Sequence, residues 1–110
     1  MKLISSLVRP CKLDQVKEAL NRVRVYSLNV AERLDHAPQA HGTVLWLGHQ
    51  YSLKSSVKLQ VDVVVHDDDV DDVVDAIIRT ARTGNDGDGH VLVLPVEHRY
   101  NIRNGNREVS

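Results

Sequence analysis

Between Val57 and Val65 the chain alternates without a break. Val57, Leu59, Val61, Val63 and Val65 fall on one side of an extended backbone, and Lys58, Gln60, Asp62 and Val64 on the other. A period of two excludes a helix, and an apolar face opposite a mostly polar one predicts a strand of a sheet packed on one side. The next segment, HDDDVDDVVDAIIRTART, has another period. Its Val70, Val73, Val74, Ile77, Ile78 and Ala81 recur at helical spacing. Asp67, Asp68 and Asp69 open it, and Arg79 and Arg82 fall in its last turn, so both ends complement a helix dipole. A further strand follows at 91–97 (VLVLPVE), with Pro95 marking an edge or a bulge.

The amino-terminal half repeats this order. Residues 2–8 (KLISSLV) read as a strand stopped at Pro10. Leu13, Val16, Leu20 and Val23 mark a helix, and 25–33 is a second, weakly patterned strand. The order β-α-β, a long insertion, then β-α-β predicts an α+β, ferredoxin-like split βαβ fold (βαββαβ), with two helices on one face of an antiparallel sheet. All 110 residues fit one such domain, and a chain with no Phe and many Val and Leu builds an aliphatic core.

Bulk properties remove several functions. A formal net charge of -1 and the lack of a basic stripe with interleaved aromatics argue against nucleic-acid binding. Runs such as VLVL fall far short of the ~20 apolar residues of a membrane span. The opening residues lack a signal-peptide pattern. One cysteine, Cys11, cannot form an internal disulfide; it reads as a small buried or half-buried thiol in a cytoplasmic protein. The acidic run at 67–69 lacks the alternating ligand spacing of a calcium loop, so no metal site is expected there.

Two features exceed what the fold requires. From about Leu34 to Ser56 an insertion separates strands that a tight hairpin could join, and loops beyond ~12–15 residues are usually functional. Within HAPQAHGTVLWLGHQYSLKSS only Lys54 is formally charged, and an apolar cluster lies near the middle. Val44, Leu45, Trp46, Leu47 and Tyr51 therefore read as a partner-docking tip, or else as a β-ribbon packed on the body. The second feature is TGNDGDGH, from Thr83 to His90. Gly84 is placed to end the helix in a left-handed conformation. Gly87 and Gly89, flanking Asp88, free the backbone to present N–H groups to an anion. A helix C-terminus repels phosphate, so cations must compensate; Arg82, Arg103, Arg99 and Arg107 are the candidates.

Taken together these residues resemble the PII signal-transduction family along essentially the whole chain. The resemblance rests on MKLISSLVRPCKLDQVKEAL, on DDDVDDVVDAIIRTARTGNDGDGHVLVLPVE and on the tail IRNGNRE. It implies a homotrimer that binds ADP, AMP or ATP between neighbouring subunits. The insertion, about 36–56, becomes a T-loop that docks on an enzyme, a transporter or a regulator; the nucleotide loop is 82–90 and the tail 98–110. Arg82, Asn85, Asp86, Gly87, Asp88, Gly89 and His90 fall in the phosphate loop, and Arg103 reaches across from the adjacent subunit. Asn29, Asp62 and Val64 hold adenine and ribose. Gln39 and Lys58 serve 2-oxoglutarate beside Mg-ATP, and Tyr51 takes a position that some members uridylylate.

Departures from the family pattern redirect these expectations. His90 replaces a lysine and Asn101 an arginine, which shifts preference from ATP toward ADP or AMP. The T-loop base, Asp35-His36-Ala37-Pro38-Gln39-Ala40-His41, has lost glycines and cations, which erodes the 2-oxoglutarate pocket and favours a compact anion such as bicarbonate. The leading expectation is an adenylate sensor on the inorganic-carbon side; the alternative is a nitrogen-side sensor of 2-oxoglutarate. A CutA-like metal-binding trimer using His36, His41 and His49 is a further alternative. No nucleophile–base pair accompanies Arg9, so no enzyme activity is expected. Bulk at either Gly87 or Gly89 is expected to abolish nucleotide binding while leaving the fold intact.

Overall fold

The computed structural model describes residues 1–37, 43–46, 49–52 and 54–108, with side chains for residues 1–34 and 57–108. Strand β1 (Lys2–Val8) leads through a 3-10 turn (Pro10–Lys12) into α1 (Leu13–Leu20). Next come β2 (Ser27–Ala37), a ribbon of β3 (Thr43–Trp46) and β4 (His49–Ser52), and β5 (Lys54–Val65). Helix α2 (Val70–Ala81), β6 (His90–Pro95) and a short tail pair, β7 (Arg99–Tyr100) and β8 (Arg107–Glu108), complete the described chain. The main sheet has four strands in the order β2-β5-β1-β6, every neighbour antiparallel. That is the ferredoxin-like α+β arrangement expected from the pattern.

Alternation decides which face is dry. Ile4, Ser6 and Val8 of β1 and Leu59, Val61, Val63 and Val65 of β5 are buried beneath Val16 and Leu20 of α1 and Val73, Ala76, Ile77 and Ala81 of α2. With only 8 residues, α1 cannot hold its shape alone. Burial of Val16 and Leu20, roughly 1.5–3 kcal/mol for each such side chain, is what keeps it helical. The buried hydroxyl of Ser6 donates to the Val61 carbonyl at 3.1 Å, so the aliphatic core carries it without an unmet donor. Among the described residues no helix covers the opposite face: Leu92 is 51% and Leu94 41% exposed there, with the polar Ser5, Gln60 and Asp62 beside them.

Several boundaries differ from expectation. Val25 packs against the core before the second strand begins, and pairing with β5 then runs from Ser27 opposite Val64 to Ala37 opposite Lys54. Strand pairing thus invades both ends of the insertion, whose backbone also forms the β3–β4 ribbon with Trp46 opposite His49. Asp67–Asp69 form a 3-10 turn ahead of α2, whose first turn instead carries Asp71 and Asp72. Arg82 lies beyond the last helical turn as an extended cap, leaving Arg79 as the cation inside it. The last strand ends at Pro95, on a sheet edge where its missing N–H costs nothing. Cys11 is exposed, not buried, because the 3-10 turn that carries it runs outside the core and buries none of its residues.

Candidate functional site

The chain leaves α2 with Arg82 in an extended conformation (φ -72, ψ 130) and then folds around the carboxylate of Asp88. That carboxylate accepts from the Thr83 N–H at 2.9 Å, from the Gly84 N–H at 2.9 Å and from the Thr83 hydroxyl. Arg9 closes the ring from the β1–α1 turn. Its Nε donates to Asp88 Oδ1 at 3.2 Å and its Nη2 to the Asp86 carbonyl at 2.9 Å. The Thr83 hydroxyl and amide, then the Gly84 amide and Arg9, hold the Asp88 carboxyl well below the usual carboxylate range. Asp88 is therefore an internal anion that uses the loop's own donors. Its carboxylate is turned into the loop, so the amides of Thr83 and Gly84 are already engaged.

The loop's glycines do different things. Gly84 has φ +86 but sits two residues beyond the cap, so it does not terminate the helix as expected; it shapes the turn closed by Asp88. Gly89 has φ +106, and a Cβ there would lie 1.8 Å from the Leu7 carbonyl oxygen. Its glycine is required by contact with β1, where His90 begins its pairing opposite Leu7. Gly87, with φ +88, has cations for neighbours. A Cβ added there would sit 3.5 Å from Arg9 Nη2 and 3.9 Å from Lys58 Nζ. Lys58 is only 4% exposed and projects from β5 on the open face, opposite Arg33. Gly87 is thus a point of open backbone between a guanidinium and an ammonium.

The remaining predicted residues divide into separate groups. Asn29 pairs directly with Asp62, and Val64 lies two residues further along β5 on the same face. The Asp62 carboxylate accepts from Gln60 Nε2 at 3.2 and 3.0 Å. Four residues of strand separate Asp62 from Lys58, about 13 Å at ~3.3 Å per residue, and Asn29 lies on the edge strand opposite β6. One chain therefore does not bring Asn29, Asp62 and Val64 together with Gly87. Asn85, Asp86 and His90 are exposed around the loop, and Asp86 contributes its carbonyl to Arg9. In the tail, Asn101 accepts from the Arg103 amide at 2.8 Å and donates to Glu108 at 3.1 Å, so it pins the turn from which the exposed Arg103 side chain extends. Arg99 is paired with Glu108 at 3.2 Å, and Arg107 approaches His98 at 3.4 Å. Among the described residues the guanidinium that meets the loop is instead that of Arg9, which the sequence reading weighed only as part of an enzyme site.

Sequence reasoning also missed an apolar groove of about 320 Å³ between α2 and the sheet edge, lined by Val74, Ile77, Ile78, Val91 and Val93 with His90 at its rim. Its signal was the width of the α2 stripe: Ile78 is 46% exposed although it belongs to the apolar face. Gln39, Leu47 and His41 lie outside the described residues, and Val44, Leu45, Trp46, Tyr51, His36 and His49 outside the described side chains. Among the described residues no helix is long and apolar enough to cross a membrane.

Residues 1–106 match the family model described as nitrogen regulatory protein P-II. The chain belongs to the P-II family. It is similar to the nitrogen regulatory protein P-II of Microchaete diplosiphon, 40% identical over 110 residues covering 100% of this chain and 98% of that one. Nitrogen regulatory protein P-II 1 of Escherichia coli strain K12 is 40% identical over 108 residues, 98% and 96% of the two chains. The P-II assignment fits the ferredoxin-like core, and the insertion between β2 and β5 fits the family's T-loop.

Proposed function

We propose that this chain is a P-II signalling protein that binds an adenine nucleotide at the seam between copies and reports the bound state through its T-loop. The observation that carries the reading is the open backbone at Gly87, set between Arg9 and Lys58. Two cations beside a bare glycine suit a phosphate chain, since charge-assisted hydrogen bonds to phosphate are each worth ~1.5–3 kcal/mol. Asn29, Asp62 and Val64 lie elsewhere on the sheet, so a complete site needs those residues from a neighbour, together with its Arg103. The uncovered sheet face with Leu92 and Leu94 and the α2–β6 groove supply apolar surface for assembly into the homotrimer. Loop residues Arg82, Asn85, Asp86, Gly87, Gly89 and His90 surround the phosphate end, with Asp88 holding their shape.

ADP or AMP is the preferred ligand, because His90 and Asn101 stand where the family pattern has cations and Asn101 is committed to Glu108. Beside the nucleotide, Lys58 holds a compact anion, for which bicarbonate is the leading candidate. The relatives' names, nitrogen regulatory protein P-II, favour a nitrogen-side role; in that second reading the chain binds 2-oxoglutarate with Mg-ATP through Gln39 and Lys58. Calorimetry with each nucleotide, alone and with bicarbonate or 2-oxoglutarate, separates the two. Deepening of ADP or AMP binding by bicarbonate supports the first. Tight Mg-ATP binding enhanced by 2-oxoglutarate establishes the second. Absence of binding by every nucleotide overturns both. The partner is a protein docked by the T-loop tip at Val44, Leu45, Trp46, Leu47 and Tyr51, and the chain itself acts as a cytoplasmic regulator, not an enzyme.

A further inference from the structure

On the outer surface of the helix layer, away from the sheet, α1 and α2 enclose an open groove of about 430 Å³. Lys12, Arg22, Arg79 and Arg82 line it with a single carboxylate, Glu18, and the amide of Gln15. Of the three aspartates of α2, Asp71 and Asp72 lie in its first turn at the other end, and Asp75 lies one turn before Arg79. Two weak surface pairs, Arg22 with Glu18 at 3.6 Å and Arg79 with Asp75 at 3.3 Å, neutralise part of the groove. Among the described residues Lys12 and Arg82 have no carboxylate partner. Helix dipoles account for Arg22, Arg79 and Arg82, which sit at helix C-termini, but not for Lys12. Lys12 is the cap of the α1 N-terminus, where a cation is disfavoured and where it makes no capping hydrogen bond. Its placement concentrates positive charge on one groove of a chain whose net charge is -1.

We infer that this groove is a docking site for an extended, carboxylate-rich segment of a partner protein. The cations are strung along α1 from Lys12 to Arg22, about 15 Å at ~1.5 Å per residue, too far apart for one small anion to meet them all. An extended peptide covers that length in about five residues, presenting a carboxylate to the groove at alternate positions. A nucleic acid fits poorly, since no aromatic side chain lines the groove for base stacking. Glu18, inside the cationic row, repels a uniform phosphate chain yet can accept a backbone N–H from a peptide. Arg82 leads directly into the Gly84–Gly89 loop, so an occupant of the groove touches the segment that shapes that loop. The inference does not depend on nucleotide binding.

The test uses the full chain and a fluorescently labelled, glutamate-rich peptide, followed by anisotropy. The matched glutamine peptide serves as control, and polyphosphate and oligothymidylate as rivals. Saturable binding of the glutamate peptide, weakening as salt rises and falling by about tenfold or more in a Lys12→Glu/Arg22→Glu variant, is expected. Arg79→Glu, on the other helix, provides an independent second lesion with the same expected loss, and circular dichroism checks that each variant is folded. Equal binding of the glutamine peptide, unchanged affinity in the folded variants, preference for either phosphate polymer, or no peptide binding overturns the inference.

Discussion

Alanine at each of three loop glycines separates conformation, contact and function. At Gly84 nothing lies within 4 Å of an added Cβ, so Gly84→Ala meets only the cost of φ +86. That cost is about 1–2 kcal/mol, reduced by the ~0.4–1 kcal/mol by which alanine restricts the unfolded chain. At Gly89 the added carbon falls 1.8 Å from the Leu7 oxygen, a backbone atom held in the β1–β6 ladder. Relief requires moving β6 against β1, so an overpacking cost of about 1–3 kcal/mol adds to the strain at φ +106. The expected sum is roughly 2–5 kcal/mol. At about 4–8 °C per kcal/mol, Gly84→Ala lowers Tm by roughly 5 °C and Gly89→Ala by roughly 10 °C or more. Gly87→Ala resembles Gly84→Ala in stability, but its methyl occupies the space between Arg9 and Lys58. Loss of one charge-assisted contact of ~1.5–3 kcal/mol there weakens ADP binding by about ten- to a hundredfold. Thermal unfolding at fixed protomer concentration and calorimetry with ADP read the two effects. Gly89→Ala as stable as Gly84→Ala would refute the contact argument, and full ADP affinity in Gly87→Ala would refute the cradle.

Other outcomes follow from the same geometry. The Asp88 carboxyl has its folded pKa depressed below the unfolded value, so its stabilisation is present above the unfolded pKa and disappears as pH falls through the folded one; the stability gap between wild type and Asp88→Asn should be constant near neutrality and close only at strongly acid pH. A gap that closes between pH ~5 and ~7 would contradict the donor assignment. Arg9→Ala removes both bonds to residues 86 and 88 and should raise the proteolytic nicking rate of the 83–88 segment, whereas unchanged nicking argues against a clamp. Leu94→Asp on the open sheet face should shift the assembled protein to monomer in sedimentation, and an unaltered assembly would remove that face from the interface. Deleting residues 43–53 should leave nucleotide affinity nearly intact and eliminate partner capture in a pull-down; loss of nucleotide binding would make the insertion part of the pocket.

The regular parts of the fold were legible because their signals are local. Val57–Val65 and the α2 stripe announce their period within a dozen residues, and burial follows that period at Leu59, Val61, Val63, Val65, Val73, Ile77 and Ala81 but not at Val57, Lys58 or Ile78. What was not legible depends on residues distant in sequence. Gly87 and Gly89 look alike in GDG, yet one faces Arg9 and Lys58 and the other meets the Leu7 carbonyl across the sheet. Asp88 stands in the sequence only as the residue between two loop glycines, and nothing local shows that Thr83, Gly84 and Arg9 converge on its carboxylate. Arg9 itself was considered only for a different chemistry. Arg82, counted as a helical residue from its spacing, leaves the helix because the chain must turn back toward β6 through the Asp88 ring. The exposure of Cys11 reflects a 3-10 turn that periodicity cannot reveal.

The central claim is that each nucleotide site takes its Gly87 half from one copy and its Asn29 half from the next. Mixing decides it: a Gly87→Val chain and an Asn29→Arg chain, each unable to bind ADP alone, are unfolded and refolded together, and ADP binding is measured by calorimetry. Recovery of sites in the mixture, at a fraction of one per chain, is the predicted result. Two inactive variants that stay inactive after mixing, although they co-assemble, would place the site within a single chain and contradict the account.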